Sequence, residues 1–456
     1  MEIVLPEFCL VILIGPSGAG KSTFAHRHFN ITEVLGSDDY RALVCDDANN
    51  QAATRDAFEV LHLVAEKRLS AGKLTVIDAT NVQQPARQPL LALARHYHCQ
   101  PVAVIFDLPE DLCVERNRLR PERSLGREIV HRQIEQLHKS LPAIQKEEFR
   151  LVYHFRTAEE VNATRVTRRK MASNLREDSG PFDMIGDVHG CCTELECLLE
   201  KLGYQASRSP AHLPGFYDHL YAHPEGRQAV FVGDLADRGP RILDTVELVR
   251  NMIHAGNALC VLGNHDEKLL RKLRGHSVQI SHGLERTLSE IENLPERDRQ
   301  PYREGLEAFL SSLPSHLILD HGRLVVAHAG IKKSMIGRDS AQVREFTLYG
   351  ETTGEIDEFG LPVRANWAAR YHGQALIVYG HTAVLRPDWL NHTVNIDTGC
   401  VYGGYLTALR YPELTFVAER SEKAYTQAKR PLSQGGIDLP PVTASEPHPA
   451  PENQDP

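Results

Sequence analysis

The sequence predicts an α/β protein made of two successive domains, and three observations carry that prediction. First, 456 residues and 51.1 kDa exceed what a single hydrophobic core normally supports. Second, residues 1–161 alternate short apolar runs (CLVILI 9–14, LTVI 74–77, VAVIF 102–106, LVYHF 151–155) with polar-patterned helical stretches, the βαβ rhythm of a doubly wound parallel sheet with helices on both faces. Third, a new series of apolar runs starts after residue 180 and spans 181–420. These are short apolar runs ending in Gly or His: FDMIGDVHG, AVFVGDLADRG, ALCVLGNHD, RLVVAHAG, ALIVYGHT and TVNIDTG. Each reads as a strand delivering polar residues at its carboxyl end, where α/β sheets place their chemistry. The basic stretch 162–180 between the series reads as a linker, and 421–456, rich in Pro and polar residues, as a disordered tail.

Bulk composition narrows the function classes. Hydrophobic and charged fractions of 42% and 24% are those of an ordinary globular protein. A net charge of −9 means that any nucleic acid is held by local basic patches and not by global charge. Nine scattered cysteines without a CxxC pair argue against a zinc ribbon and for a reducing compartment. With no charged-then-apolar leader and no run near 18 apolar residues, a cytoplasmic protein with no membrane partner is expected.

The loop GPSGAGKST, 15–23, follows the strand-like CLVILI and precedes the helical TFAHRHF, the context of a P-loop. Gly15, Pro16, Ser17, Gly18, Ala19 and Gly20 would turn backbone N–H groups onto phosphate oxygens, helped by the positive end of the helix. Lys21 would reach the β- and γ-phosphates, Ser22 would hold Mg²⁺, and Thr23 completes the motif. The motif implies a nucleoside triphosphate, ATP or another, without choosing between kinase and hydrolase. Three later features favour a kinase. In GSDDYR, Asp38 could take the proton of an acceptor hydroxyl while Arg41 grips the acceptor's own phosphate. VIDATN ends a strand with Asp78, Thr80 and Asn81, placed for Mg²⁺ or acceptor contacts. The run ERNRLRPERSLGR carries Arg116, Arg118, Arg120, Arg123 and Arg127, which would close as a lid over the transferred phosphate.

The second series gathers metal-ligand types. Asp187 and His189 stand at i and i+2 and would point from one side of a strand end. Asp234 follows the next run, Asn264 and His265 come from GNHD, His328 from VVAHAG and His381 from YGHT. Carboxylate, imidazole and amide oxygen suit Mn²⁺, Fe²⁺ or Ni²⁺. Six ligands exceed one open site, so two metals are implied: Asp187, His189 and Asp234 on the first, and Asp234, Asn264, His328 and His381 on the second. Arg238 would clamp a phosphate, and His265, left unligated, would protonate the leaving oxygen.

These motifs, in this order, resemble the binuclear metallophosphoesterase family, in its phosphoprotein-phosphatase branch. That resemblance implies a calcineurin-like sandwich of two β-sheets flanked by helices. The first domain is similar to polynucleotide 5′-kinases, and the pair resembles the bacterial polynucleotide kinase-phosphatases over about residues 1–415. What the resemblance implies is phosphorylation of a 5′-OH end with ATP or another NTP and Mg²⁺, and removal of a 3′-phosphate or 2′,3′-cyclic phosphate with Mn²⁺ or Ni²⁺. By motif it makes Lys21 and Ser22 nucleotide contacts, Asp38 the general base and Arg41 the acceptor contact. Arg116 and Arg120 become lid residues, and Asp397 in NIDTG an acidic group behind the metal ligands. The partners implied are RNA or DNA ends and a separate RNA ligase acting in trans, since the family's ligase-like domain has no counterpart here. A homodimer is compatible with the sequence. The alternative is a small-molecule P-loop kinase joined to a protein or dinucleotide-polyphosphate phosphatase. A non-catalytic RNA-binding scaffold is the remaining rival, and the intact ligand and phosphate-handling residues speak against it.

Overall fold

The computed structural model describes residues 2–119, 125–208 and 217–433. The chain divides into two compact units, Met1–Met171 with Gly337–Gln342, and Ala172–Ile336 with Val343–Pro456.

In the first unit the strands are β1 (Glu2–Pro6), β2 (Cys9–Ile14), β3 (Val34–Gly36), β4 (Thr75–Asp78), β5 (Gln100–Phe106), β6 (Leu151–Phe155) and β7 (Arg165–Arg169). Five of them form a parallel sheet in the order β3-β4-β2-β5-β6. Strand β2 is central and buried on both faces, which is why CLVILI is an unbroken apolar run and not an alternating one. Its residues still divide by parity. Val11 and Leu13 join one core, while Leu10, Ile12 and Ile14 join the other. The helices that cover these faces are α1 (Lys21–His28), α2 (Ser37–Cys45), α3 (Thr54–Ser70), α4 (Gln84–His96), α5 (Glu110–Arg118), α6 (Arg127–Ile144) and the short α7 (Ala158–Asn162).

The expected linker is a difference. Part of 162–180 is β7, which pairs in parallel with β1 from Glu2↔Arg165 to Pro6↔Arg169. Charge concealed this strand. Val166 packs on the core, and Arg168 reaches Glu33 through two hydrogen bonds of 2.9 and 2.7 Å, so this arginine is partnered and not merely solvated.

The second unit opens with β8 (Phe182–Ile185), α8 (Cys192–Leu202), the antiparallel pair β9 (Gln205–Arg208) and β10 (His219–Ala222), β11 (Gln228–Phe231), α9 (Ile242–His254) and β12 (Ala258–Cys260). Helices α10 (Asn264–Leu273), α11 (Leu284–Glu292) and α12 (Glu296–Ser312) follow. Then come β13 (His316–Leu319), β14 (Leu324–Ala327), the hairpin β15 (Thr352–Ile356) and β16 (Pro362–Arg364), β17 (Leu376–Tyr379), β18 (Asp388–Leu390), β19 (Thr393–Asn395), β20 (Tyr405–Tyr411) and β21 (Thr415–Arg420). Two five-stranded mixed sheets result, β12-β11-β8-β20-β21 and β13-β14-β17-β19-β18. Met184, Val230, Val326, Val378 and Ile396 fill the layer between them, while Ile185 and Phe231 point outward to a core shared with α8, α9 and α12. This is the expected sandwich of two sheets flanked by helices.

The expected tail differs in part as well. Ser421–Ser433 folds back on this unit through bridges Tyr402↔Ala424 and Val384↔Ser433. Residues 434–456 lie outside the described residues. No helix among the described residues is long and apolar enough to cross a membrane.

Candidate active sites

In the first unit the loop after β2 carries the phosphate-cradle residues. Gly15, Pro16, Ser17, Gly18 and Ala19 are buried, and Lys21 opens α1 behind Gly20, whose φ of 90° needs glycine. Gly18 has φ +81°, and a Cβ there would stand 2.1 Å from the carbonyl oxygen of Cys113, so the loop packs directly on α5. Gln133 on α6 accepts the Ser17 N–H at 2.8 Å, a support that no sequence signal singled out. Lys21 is buried, and its Nζ donates to the carbonyls of Gly15 (2.8 Å) and Pro16 (2.9 Å); phosphate oxygens would take over those bonds. Ser22 and Thr23 stand in the first turn of α1. Arg116 lies beside Gly20 and, with Gly18, Gly20, Thr23 and Phe24, lines a recess of about 340 Å³. Of the other arginines of the expected lid, Arg120 and Arg123 lie outside the described residues. Arg127 is tied instead to Glu110 (3.3 Å) and Asp111 (2.8 Å) at the start of α5.

Asp38 begins α2 and pairs with Arg41 one turn later. Arg41 is buried, and its Nε also donates to Ala48 O at 2.9 Å. Asp38 is the more open of the two, with 41% of its side chain exposed, which suits a group that must meet an acceptor. Burial, with the charges of Asp78 and Asp38, raises the neighbouring Asp39 carboxyl, so three carboxylates gather at the ends of β3 and β4. Asn81 is buried and uses one N–H of its amide to donate to Leu13 O at 2.9 Å.

The second unit assembles its site from loops and from the first turn of α10, which carries Asn264 and His265. Strand β8 ends at Ile185 and β11 at Phe231, so Asp187, His189 and Asp234 lie beyond the strand tips. The i, i+2 strand argument therefore does not describe them. His189 (φ 46°), Asp234 (50°), Asp237 (71°), Arg238 (71°) and His381 (72°) all adopt left-handed backbone, which costs a non-glycine residue on the order of 1 kcal/mol each. Five such residues at one place mark a functional site. Backbone meets backbone there: a Cβ on Gly263 would stand 2.1 Å from Asp234 N.

Asp234 is central. Its Oδ2 lies 3.5 Å from His189 Nε2 and 3.5 Å from His328 Nε2, while its Oδ1 accepts the His265 N–H at 2.9 Å. The imidazoles are oriented from behind. His189 Nδ1 faces Ala236 O at 2.9 Å, and His328 Nδ1 faces Val232 O at 3.0 Å. Those carbonyls fix the protons on Nδ1 and leave both Nε2 atoms with lone pairs. His328 Nε2 is then 2.9 Å from Asn264 Oδ1, and His381 Nδ1 is 2.7 Å from the same oxygen and 3.0 Å from His328 Nε2. Acceptor atoms of His328, Asn264 and Asp234 thus face one another, an arrangement that is costly until a cation sits among them. The donor set fits a pair of divalent metals with Asp234 shared. Of the side-chain groups among the described residues close enough to hold an ion, two lie here, Asp234–His328–His381 and His189–Asp234–His265; the second includes His265, expected to be unligated, and not Asp187.

Asp187 accepts the His381 N–H at 3.1 Å, and its carboxyl is held well above the usual range by burial and by the charges of Asp397 and Asp234. Burial pushes Asp234 up to about 7 and Asp397 up to about 6. It drives His328 down to about 4, and His189 and His265 well below their ordinary value with help from the Arg238 charge. Asp397 also accepts the Gly399 N–H at 3.1 Å.

Arg238 reaches across the site, Nη1 to His189 Nε2 (2.9 Å) and Nη2 to His265 Nε2 (2.8 Å). Two further carboxylates join the site: Asp237, which the sequence already marks as a candidate ligand or catalytic group behind the run AVFV (229–232), and Asp266, which the sequence reasoning did not single out. Asp237 is fully buried, accepts from His265 Nδ1 at 2.6 Å and is bonded by the Thr287 hydroxyl. Asp266, also fully buried, accepts backbone N–H groups of Leu235 (3.1 Å), Ala236 (3.2 Å) and Gly263 (3.1 Å), tying two loops together. Both stand inside quoted motifs, GDLADRG and GNHD, and their position there was the available signal.

Comparison with known proteins agrees with this division. The family described as AAA domain matches residues 10–144, and calcineurin-like phosphoesterase matches residues 180–385. A protein named bis(5′-nucleosyl)-tetraphosphatase PrpE [asymmetrical] from Anoxybacillus flavithermus is 46% identical over 248 residues, 54% of this chain and 97% of that protein. The one so named from Bacillus thuringiensis is 45% identical over 254 residues, 55% of this chain and 99% of that protein. A crystal structure provisionally assigned as a diadenosine tetraphosphatase is 23% identical with a TM-score of 0.37, covering 54% of this chain and 96% of that one.

Proposed function

Because this chain belongs, through its second unit, to the family of the PrpE relatives and carries a calcineurin-like phosphoesterase domain behind a P-loop domain, we propose that it heals broken polynucleotide ends. The first unit phosphorylates a 5′-OH end using an NTP and Mg²⁺. The second removes a 3′-phosphate or opens a 2′,3′-cyclic phosphate using two divalent ions, Mn²⁺ or Ni²⁺. The observation that carries this reading is the Asp38–Arg41 pair beside the P-loop, in a chain that also holds the phosphoesterase constellation. Taking an acceptor proton and an acceptor phosphate is what a kinase must do, so the pair favours phosphoryl transfer by the first unit over plain nucleotide hydrolysis. A ligase needs 5′-phosphate and 3′-OH together, so adding phosphate at one end and removing it at the other form one task.

In the kinase, Lys21 and the loop N–H groups hold the triphosphate, Arg116 and Arg120 neutralise the moving phosphate, Asp38 takes the acceptor proton and Arg41 positions that carboxylate and the acceptor. In the phosphoesterase, Asp187, His189 and Asp234 would hold one metal, and Asp234, Asn264, His328 and His381 the other. When bound, the two cations supply Lewis acidity at the phosphoryl group. Arg238 releases its two imidazole contacts to grip phosphate oxygens, a water molecule attacks phosphorus and gives up a proton, and His265, carrying a proton as an imidazolium stabilised by Asp237, hands it to the leaving oxygen. The healed ends pass to a separate RNA ligase, in the cytoplasm.

The 45–46% identity to the PrpE proteins favours a second reading for the second unit alone, asymmetrical hydrolysis of bis(5′-nucleosyl) tetraphosphates. Incubating an RNA bearing 5′-OH and 2′,3′-cyclic phosphate ends with ATP, Mg²⁺ and Mn²⁺, beside diadenosine tetraphosphate, separates the two. Conversion to 5′-phosphate and 3′-OH supports end healing. Untouched RNA with cleaved tetraphosphate would transfer the conclusion to the second reading.

A further inference from the structure

The segment after β21 was expected to be a tail, yet it crosses the mouth of the phosphoesterase site. Its start is fixed by Tyr425 N donating to Val401 O (3.0 Å) and Tyr425 Oη donating to Glu194 (2.8 Å). Its end is fixed by Leu385 N donating to Ser433 O (3.1 Å). Between these anchors Thr426–Leu432 forms one wall of a half-open cavity of about 630 Å³ whose floor includes Asp234, Arg238, Asn264, His265 and His381. We propose that this strap builds a second anion subsite, in which Lys429 and Arg430, with Arg364 of β16, hold a further phosphate group of a nucleotide substrate next to the one being removed.

Four observations support the subsite. Seven lysines and arginines line the cavity against three carboxylates, and two of those, Asp234 and Asp397, belong to the metal centre. Lys429 Nζ rests on His282 Nε2 at 3.0 Å, and His282 O in turn accepts from Arg238 Nε at 3.4 Å. The strap is therefore linked to the phosphate clamp through His282. Arg430 meets Asp357 only at 3.7 Å, beyond hydrogen-bond distance. Burial and the nearby Arg430 charge both lower the Arg364 guanidinium, a like-charge approach that an anion between them would relieve. The catalytic clamp accounts for one phosphate; these groups stand apart from it and would take another.

This subsite rests on the proposed phosphoesterase activity and specifies its substrate as one with at least two phosphates. The second could be the adjoining phosphodiester of a polynucleotide or the next phosphate of a polyphosphate chain. The test compares kcat/KM, with Mn²⁺, for three substrates: an oligonucleotide 3′-phosphate, diadenosine tetraphosphate and p-nitrophenyl phosphate, which has no second phosphate. The variants are Arg364→Gln/Arg430→Gln and, confined to the strap, Lys429→Gln/Arg430→Gln, with melting curves to check that they fold. The expected result is that the ratio of a two-phosphate substrate to p-nitrophenyl phosphate falls at least about tenfold in both variants, through KM. A fall confined to the oligonucleotide identifies the phosphodiester as the ligand, and one confined to the tetraphosphate identifies the polyphosphate chain. An unchanged ratio in folded variants overturns the subsite while leaving the phosphoesterase standing. Absence of hydrolysis of all three by the unaltered protein overturns both.

Discussion

Asp237→Asn isolates the proton-handling part of the site. Asp237 accepts from His265 Nδ1 at 2.6 Å and from Thr287, and it is fully buried. Asparagine has the same shape; its oxygen can still accept from Nδ1, and the Thr287 hydroxyl can turn to accept from the new amide. The fold and the ring orientation are kept, and what disappears is the negative charge that stabilises a protonated His265. A hydrogen bond to a charged group contributes about 1.5–3 kcal/mol. At about 1.4 kcal/mol per tenfold, kcat should fall roughly 10- to 150-fold. That loss should appear only when the leaving oxygen needs a proton. The assay is a series of phosphate esters from alkyl alcohols to acidic phenols, measured for both proteins with Mn²⁺. The variant should be slow on alkyl and sugar phosphates, approach the parent on p-nitrophenyl phosphate, and show a steeper dependence of rate on leaving-group acidity. An equal loss across the series would refute the proton-donor role of His265 and make Asp237 a matter of packing.

Lys21→Ala should abolish 5′-phosphorylation and leave phosphate removal intact, while Asp187→Ala should do the reverse; assaying both ends of one RNA shows whether either substitution stops both. His316 is fully buried with its pKa pushed down to about 4 by burial. The folded chain therefore holds fewer protons than the unfolded one between pH 6.5 and 4, and stability present above 6.5 is lost as pH falls through that window, by about 3 kcal/mol. Denaturant titrations of His316→Gln should lack this share of the acid sensitivity, and a parallel slope in parent and variant would contradict it. Mn²⁺ at a hundred times its Kd should stabilise the second unit by about 2.7 kcal/mol per site, seen as a raised Tm in chelator-treated protein; His328→Ala should gain less. Gly18→Ala, at φ +81° and 2.1 Å from the Cys113 carbonyl, should weaken nucleotide binding measured by calorimetry and leave metal binding unaltered.

What was legible in the sequence were runs with one dominant physical signal. CLVILI announces a strand buried on both faces, and the runs before GDVHG, GDLADRG, GNHD, AHAG, GHT and DTG all become strands whose following loops carry the polar groups. The residues that gather around Asp234 were legible because Asp, His and Asn there recur at the same place in each run. Charge obscured other features. RVTRR looked like a solvated linker because its arginines outweigh Val166, although Glu33 and β1 are waiting for it. The strap carries too few apolar residues to advertise itself; its anchors are backbone hydrogen bonds and Tyr425, contacts with partners far away in the chain. Asp237 is marked as a candidate by its place after AVFV, but its role behind His265, and Asp266 altogether, stay hidden because their partners, His265, Thr287 and the backbone of neighbouring loops, are fixed only by the tertiary fold.

The central claim is that loops from separate strands converge on two cations sharing Asp234. Anomalous diffraction from crystals grown with Mn²⁺ tests it most directly. Two peaks should appear on either side of the Asp234 carboxylate, one contacted by His189 and the other by Asn264, His328 and His381. A single peak, or Mn²⁺ bound to other residues, would contradict the account.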